Sequence, residues 1–393
     1  MGIEDVVNRR AFGKGTLQEK HESIKREYER SIYAKGKDRD SQKLDFKDLL
    51  YDARGEPADP ETVMKILHAG EAKDIQEIRR LASIGVIGGY YPIKEHGQGA
   101  AFDVYKAMDS TGQVWAMKVR GGARPSLLKK AGIKNLSERM YRNRAASMAS
   151  EHIADMIVLE HKGKDYFIER FMPYTLKDEI EDGIPRDLGI EYVRQLGEAV
   201  RYCHAHNVWH RDIKPDNIGV SNGRIMLFDF SHSQDITIHD PTRREIGGLL
   251  YRSPELYSDG NFRAQSDIFS MCAVDYEIIT GSNPIKAYWL ETYGEPLKVD
   301  FAPTALRTSS AERIMSVLTA DDYPERIIPP LTKALGPYQS LANLIGRGLH
   351  KDPQKRSHQD QARAAKEFYN ALQKALRETP NAGHHMSAKA SLT

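Results

Sequence analysis

VWHRDIKPDNIGV, residues 208–220, places Asp212, Lys214 and Asn217 in one short polar loop. Upstream, LGIEYVRQLGEAVRYCHAH (188–206) carries apolar residues at the three- and four-residue spacings of an amphipathic helix. Downstream, NIGV, the turn Ser221-Asn222-Gly223 and RIMLFDF read as a hairpin, with Asn-Gly supplying the tight turn. Phosphoryl transfer to a hydroxyl needs a carboxylate that orients the nucleophile and can take its proton. It also needs a cation to neutralise the transferred group, and oxygen ligands for a magnesium ion. Asp212, Lys214 and Asn217 can supply these in that order.

Asp229-Phe230-Ser231 follows the hairpin at the end of an apolar strand, where a hard carboxylate oxygen suits magnesium. Taken alone, Asp229 reads equally well as the cap of a turn. Ahead of the loop, YYPIKEHG, FDVYKAMD and VWAMKV alternate or run apolar, and the turn at Ser110–Gly112 separates the last two. Two further strands, DMIVLEH and DYFIERFM, flank Gly163, with a helix expected at about 136–150. Beyond Leu176 helices dominate, so a small sheet-rich lobe precedes a larger helical one.

The ordered set of motifs resembles the eukaryotic-type protein kinase superfamily, most closely its serine/threonine branch. His210, Arg211, Asp212, Lys214 and Asn217 match the catalytic loop H-R-D-x-K-x-x-N, and Asp229-Phe230-Ser231 resembles D-F-G with serine in place of glycine. Ser253-Pro254-Glu255 resembles A-P-E, after a polar stretch of activation-loop length. SDIFSM puts Asp267 where that family anchors its catalytic loop, and KDPQKR puts Arg356 where the partner of Glu255 is expected. At the nucleotide end, HGQGAAFDVY resembles the glycine-rich loop: Gly97, Gly99 and Val104 fit, and Phe102 replaces the third glycine. Trp115-Ala116-Met117-Lys118 resembles V-A-I-K, so Ala116 and Lys118 are expected at ATP, with Glu138 as the lysine's helix partner. The hinge lies near Glu169-Arg170-Phe171-Met172, with Ile168 or Glu169 as gatekeeper and Arg170 and Met172 at the base. Asp178 and Glu181 either contact ribose or substrate, or form a solvated helix start.

The resemblance implies an α+β, bilobal protein kinase-like fold that uses ATP and Mg2+. Asp212 is the expected catalytic base, Lys214 and Lys118 the expected catalytic cations, and Asn217 and Asp229 the metal ligands. The acceptor would be a serine or threonine of a protein substrate. Lys214, two positions after Asp212, favours that reading over a small-molecule kinase. Phe102, Ser231 and Gly248, the last where many relatives place a threonine touching the catalytic loop, keep a pseudokinase scaffold as the alternative. Arg211 is of the kind that receives an activation-segment phosphate, for which Thr237 and Thr242 are candidates.

Composition sets the frame for these motifs. The 393 residues are 40% hydrophobic and 28% charged, enough for a sizeable core under a solvated surface, and a net charge of +2 does not call for nucleic acid. Cys203 and Cys272 sit in stretches that read as buried helix, so no disulfide framework is expected. No apolar run has signal-peptide or membrane-spanning length, and the expectation is a soluble, cytoplasmic protein without membrane partners. Residues 1–85 read as a helical N-terminal extension, with Asp59 and Pro60 starting a helix that buries Val63, Ile66 and Leu67. The kinase-like domain is then 86–376, an N-lobe to about 172 and a C-lobe from 173, and 377–393 an expected disordered tail.

Overall fold

The computed structural model describes residues 26, 53–54, 58–98, 102–120, 148, 150–235, 248–258, 260–299 and 305–378. The chain divides into two compact units, Met1–Ser126 with Met156–Phe171, and Leu127–Asp155 with Met172–Thr393. Glu138, the helix expected at 136–150 apart from its last residues, Gly99, Thr237, Thr242 and the tail from 379 lie outside the described residues.

The first unit is built on a five-stranded sheet of order β1-β2-β3-β5-β4: β1 (Tyr91–Gln98), β2 (Phe102–Met108), β3 (Val114–Arg120), β4 (Met156–His161) and β5 (Lys164–Arg170). All four pairings are antiparallel. Lys162 and Gly163 both have positive φ, 50° and 73°, which matches the right-handed twist of the β4–β5 hairpin. Alternation gives the sheet two faces. One carries Ala107, Met117, Val119, Tyr166 and Ile168, which form a core with Ile87. The other carries Val104, Ala116, Lys118, Phe167 and Glu169, since directly paired residues share a face.

Two helices, α1 (Pro60–Ala69) and α2 (Ile75–Ile84), pack against β1 around a core of Val63, Ile66, Leu67, Ile78 and Leu81. The Asp59 carboxylate accepts the Thr62 N–H at 2.9 Å and caps α1 as the sequence suggests. Gly70, at φ 63°, ends it. Buried Glu77 on α2 accepts the backbone N–H of Lys73 at 2.6 Å and that of Glu95 at 2.8 Å. Arg80 holds the Glu95 carboxylate through two contacts of 2.7 and 3.1 Å. The extension is therefore bonded to β1, at a place where that strand carries a bulge between Glu95 and Gly97.

The second unit is mainly helical. Helix α3 is Leu176–Asp182 and α4 is Arg186–Ala205. Two short antiparallel ribbons follow, β6 (Val208–Trp209) with β9 (Gln234–Asp235), and β7 (Ile218–Ser221) with β8 (Arg224–Leu227). The β7–β8 turn has Asn222 and Gly223 at φ 51° and 72°, as the Asn-Gly signal predicts. Eight α-helices complete the described part: α5 (Pro254–Ser258), α6 (Ala264–Thr280), α7 (Pro284–Tyr293), α8 (Ala305–Thr319), α9 (Tyr323–Leu335), α10 (Gln339–Gly348), α11 (Pro353–Arg356) and α12 (Gln361–Arg377). Helix α6 is apolar on most of its circumference and lies in the core against α4, α10 and α12. A Cβ on Gly197 of α4 would lie 2.5 Å from Leu372 Cδ2, so a larger residue there would have to displace the Leu372 side chain of α12. Cys203 and Cys272 are unpaired and buried, and burial pushes both thiols above their ordinary range. Among the described residues no helix is long and apolar enough to cross a membrane.

Candidate active site

The second unit gathers the polar loop around one buried carboxylate. Asp267, in the first turn of α6, is 1% exposed. Its Oδ1 accepts the Arg211 backbone N–H and its Oδ2 the His210 backbone N–H, both at 2.9 Å, and His204 Nε2 lies 2.9 Å from Oδ2. A buried carboxylate costs free energy unless donors surround it, and here the donors are the loop's own backbone. Arg211 has φ 72°, a left-handed conformation that costs a non-glycine residue about 1 kcal/mol. The Asp267 bond and the stacking of its guanidinium on the Phe262 ring, 5.3 Å from the centroid, hold it there. His210 accepts the Asp212 N–H at Nδ1 (3.4 Å), so Nε2 carries the proton donated to the Phe228 carbonyl at 3.0 Å.

With the backbone fixed, Asp212 is enclosed but well supplied with donors. Its Oδ2 receives Lys214 Nζ and Asn217 Nδ2, each at 2.9 Å, and its Oδ1 receives the Gly248 backbone N–H at 2.9 Å. Asn217 also donates to the Asp212 carbonyl at 2.8 Å. Both donations come from the amide nitrogen, which leaves the Asn217 carbonyl oxygen as the atom to offer a cation. Asp229 follows β8 with φ 62°, and Phe230 beside it is buried with its ring 4.7 Å from that of His210. Aspartate tolerates this region better than most residues, and a left-handed residue at a strand end points to a local functional constraint. Asp229 and Asn217 are hard oxygen donors of the kind Mg2+ takes together with water and phosphate.

Glu255 and Arg356 meet as expected, Nη1–Oε1 at 2.8 Å and Nη2–Oε2 at 2.9 Å, inside the fold. Burial alone would raise the Glu255 carboxyl; the Arg356 charge and hydrogen bonds from Arg356 and Ser266 hold it below its ordinary value instead. Asp178 accepts the Thr175 N–H and hydroxyl, both at 2.7 Å, and Glu181 is exposed, so the helix-start reading accounts for both. Met172 packs on β7: a Cβ on Gly219 would lie 2.6 Å from the Met172 Cγ and Sδ.

In the first unit, Gly97, Val104, Lys118 and Phe167 pair successively across four strands. Ala116, two residues before Lys118, shares its face. Arg170 pairs with Trp115 and so takes the other side of β5, exposed. Phe102, at the third glycine position, is buried with its ring edge-on to Phe167 at 5.8 Å.

Three contacts are absent from the motif reading. Glu169 lies 2.8 Å from Lys118 Nζ, which a register between strands decides and a motif does not. His232 Nδ1 is 3.9 Å from Asp212 Oδ2. The Gly248 amide reaches Asp212 directly, so glycine at that position keeps a contact to the catalytic loop through its backbone.

A family model described as a protein kinase domain matches residues 90–368. The chain is 33% identical to Aurora kinase A-B of Xenopus laevis over 35% of its own length and 34% of that protein's. It is 33% identical to the serine/threonine-protein kinase Aurora-1 of Arabidopsis thaliana, over 41% of the chain and 54% of the relative. It is also similar to a probable serine/threonine-protein kinase, PknB, of Lactococcus lactis, 28% identical over 50% of the chain and 32% of the relative. The matched stretches thus span between about a third and about a half of these relatives.

Proposed function

The chain belongs to the protein kinase family, and on that premise we propose that it transfers the γ-phosphoryl group of Mg-ATP to a serine or threonine hydroxyl of a protein substrate. The observation that carries the reading is the support of Asp212: a buried carboxylate held by Lys214, Asn217 and the Gly248 amide, on a backbone anchored by Asp267.

The acceptor hydroxyl donates to Asp212, which orients its oxygen in line with the γ-phosphorus. As the new P–O bond forms and the bond to ADP breaks, the hydroxyl proton passes to the Asp212 carboxylate. Lys214, bonded to Asp212, would offset charge on the γ-phosphate. Lys118 serves the α- and β-phosphates, with Gly97, Gly99, Val104 and Ala116 at the nucleotide and Arg170 and Met172 at the hinge. Asn217 and Asp229 would hold Mg2+, which supplies charge neutralisation on the phosphates.

The test is transfer from γ-labelled ATP with Mg2+ to the protein itself and to a generic basic protein, beside Asp212→Asn. Label on serine or threonine from the wild type alone supports the reading. A magnesium-dependent thermal shift with ATP but no label would leave an ATP-binding scaffold, in keeping with Phe102 and Ser231.

A further inference from the structure

Among the described residues of the first unit, the most enclosed ion pair joins Lys118 and Glu169, with Nζ–Oε2 at 2.8 Å and side-chain exposures of 10% and 4%. The strand register explains the meeting. Ala116 pairs with Glu169 and Lys118 with Phe167, so the two are diagonal neighbours on one face of adjacent strands. On the opposite face the same two strands carry Met117 and Ile168, fully buried and apolar. Packing alone would therefore accept an apolar side chain at 169. A carboxylate there carries a desolvation cost of several kcal/mol, which the ammonium charge offsets. Oε2 is fully enclosed and makes no directed hydrogen bond, so it depends on that charge.

We infer that Glu169 is a positioning residue for Lys118, holding its ammonium on the nucleotide face from within the same sheet. The inference rests on the reading of Lys118 as a phosphate ligand. Because β3 and β5 are paired strands, the position of the ammonium relative to Glu169 is set by their register. An ammonium has several donors, so one can face Glu169 while others face phosphate oxygens.

The test is a double-mutant cycle on the full chain, read as the dissociation constant of a fluorescent trinitrophenyl-ATP with Mg2+ and as kcat and KM for ATP. Glu169→Gln keeps the shape and removes the charge. Losing the charged group that orients a ligand-binding side chain corresponds to about 10- to 100-fold weaker nucleotide binding, seen in KM for ATP more than in kcat. In a Lys118→Met background the same substitution is expected to change nucleotide binding less than twofold, roughly the scatter of additive sites. Equal weakening in both backgrounds, no weakening in either, or tighter binding by Glu169→Gln would each overturn the inference. A ligand-free arm separates it from the functional reading. If the wild type bound no nucleotide, the kinase proposal would fall, yet the pairing would still be decided by urea unfolding. Lys118→Met restored towards wild-type stability by Glu169→Met supports the pair; an additive loss overturns it.

Discussion

Two lysine–carboxylate pairs of nearly equal length, Lys118–Glu169 at 2.8 Å and Lys214–Asp212 at 2.9 Å, lie in different surroundings. The first bridges two strands and is enclosed at both ends, 10% and 4% exposed. The second joins residues two apart in a loop, with the lysine side chain 26% exposed and the aspartate also served by Asn217 and Gly248. The distance is therefore a poor guide to what each pair does. In the sheet, the Glu169 carboxylate is enclosed beside the Lys118 ammonium. In the loop, the carboxylate has neutral donors as well, so the lysine is available to a phosphate. One pair should govern stability and placement, the other chemistry.

The largest expected effect breaks the loop pair at its carboxylate. Asp212→Asn should lower phosphoryl transfer about 10²- to 10⁴-fold, the usual contribution of a general base, measured with labelled ATP at saturating substrate. Next, unfolding in urea should separate the lysines. Lys118→Met should cost about 3–5 kcal/mol by stranding Glu169, whereas Lys214→Met should cost about 1 kcal/mol or less. Equal losses would erase the contrast. A third substitution probes the neutral donors around Asp212. Gly248 has φ −63°, which proline adopts, so Gly248→Pro removes the N–H with little backbone change. It should slow transfer roughly 10-fold or more, the worth of a hydrogen bond to a charged group. Gly248→Ala keeps the N–H and brings a Cβ only to 3.3 Å from Lys214 Cδ, so it should lose less.

The smallest effect uses Glu255–Arg356 as a second enclosed pair. Glu255 has its folded-state pKa held below the ordinary 4.5, so its contribution to stability is present above the unfolded value. That contribution is lost as pH falls through the folded value. Melting temperatures followed downward from pH 6 should fall below about pH 4.5, the ordinary glutamate value, less steeply in Glu255→Gln than in the wild type. Parallel profiles would remove Glu255 from the acid transition.

The catalytic loop, Asp267 and Arg356 were legible because their spacings are short or their order along the chain is fixed. Each then met the partner expected of it. Hairpin turns were legible for a local reason: Asn222-Gly223 and the turn at Gly163 need positive φ. Glu169 was not, because a slip of one residue between β3 and β5 would exchange the faces of Ile168 and Glu169. The seating of α1 and α2 was not either. An amphipathic helix declares an apolar stripe, but Glu77 meeting the Glu95 amide depends on a bulge in β1.

The amide of Gly248 has a further consequence for how this protein can vary. A hydroxyl side chain touching the catalytic aspartate can be lost through one nucleotide change, and activity drifts with it. A backbone donor is shared by every amino acid but proline, and proline codons are not single-step neighbours of glycine codons. Mutational drift at position 248 can crowd Lys214, but no single-step change deletes the bond to Asp212. This contact to the proposed catalytic base is written in the path of the chain, beyond the reach of ordinary spelling errors.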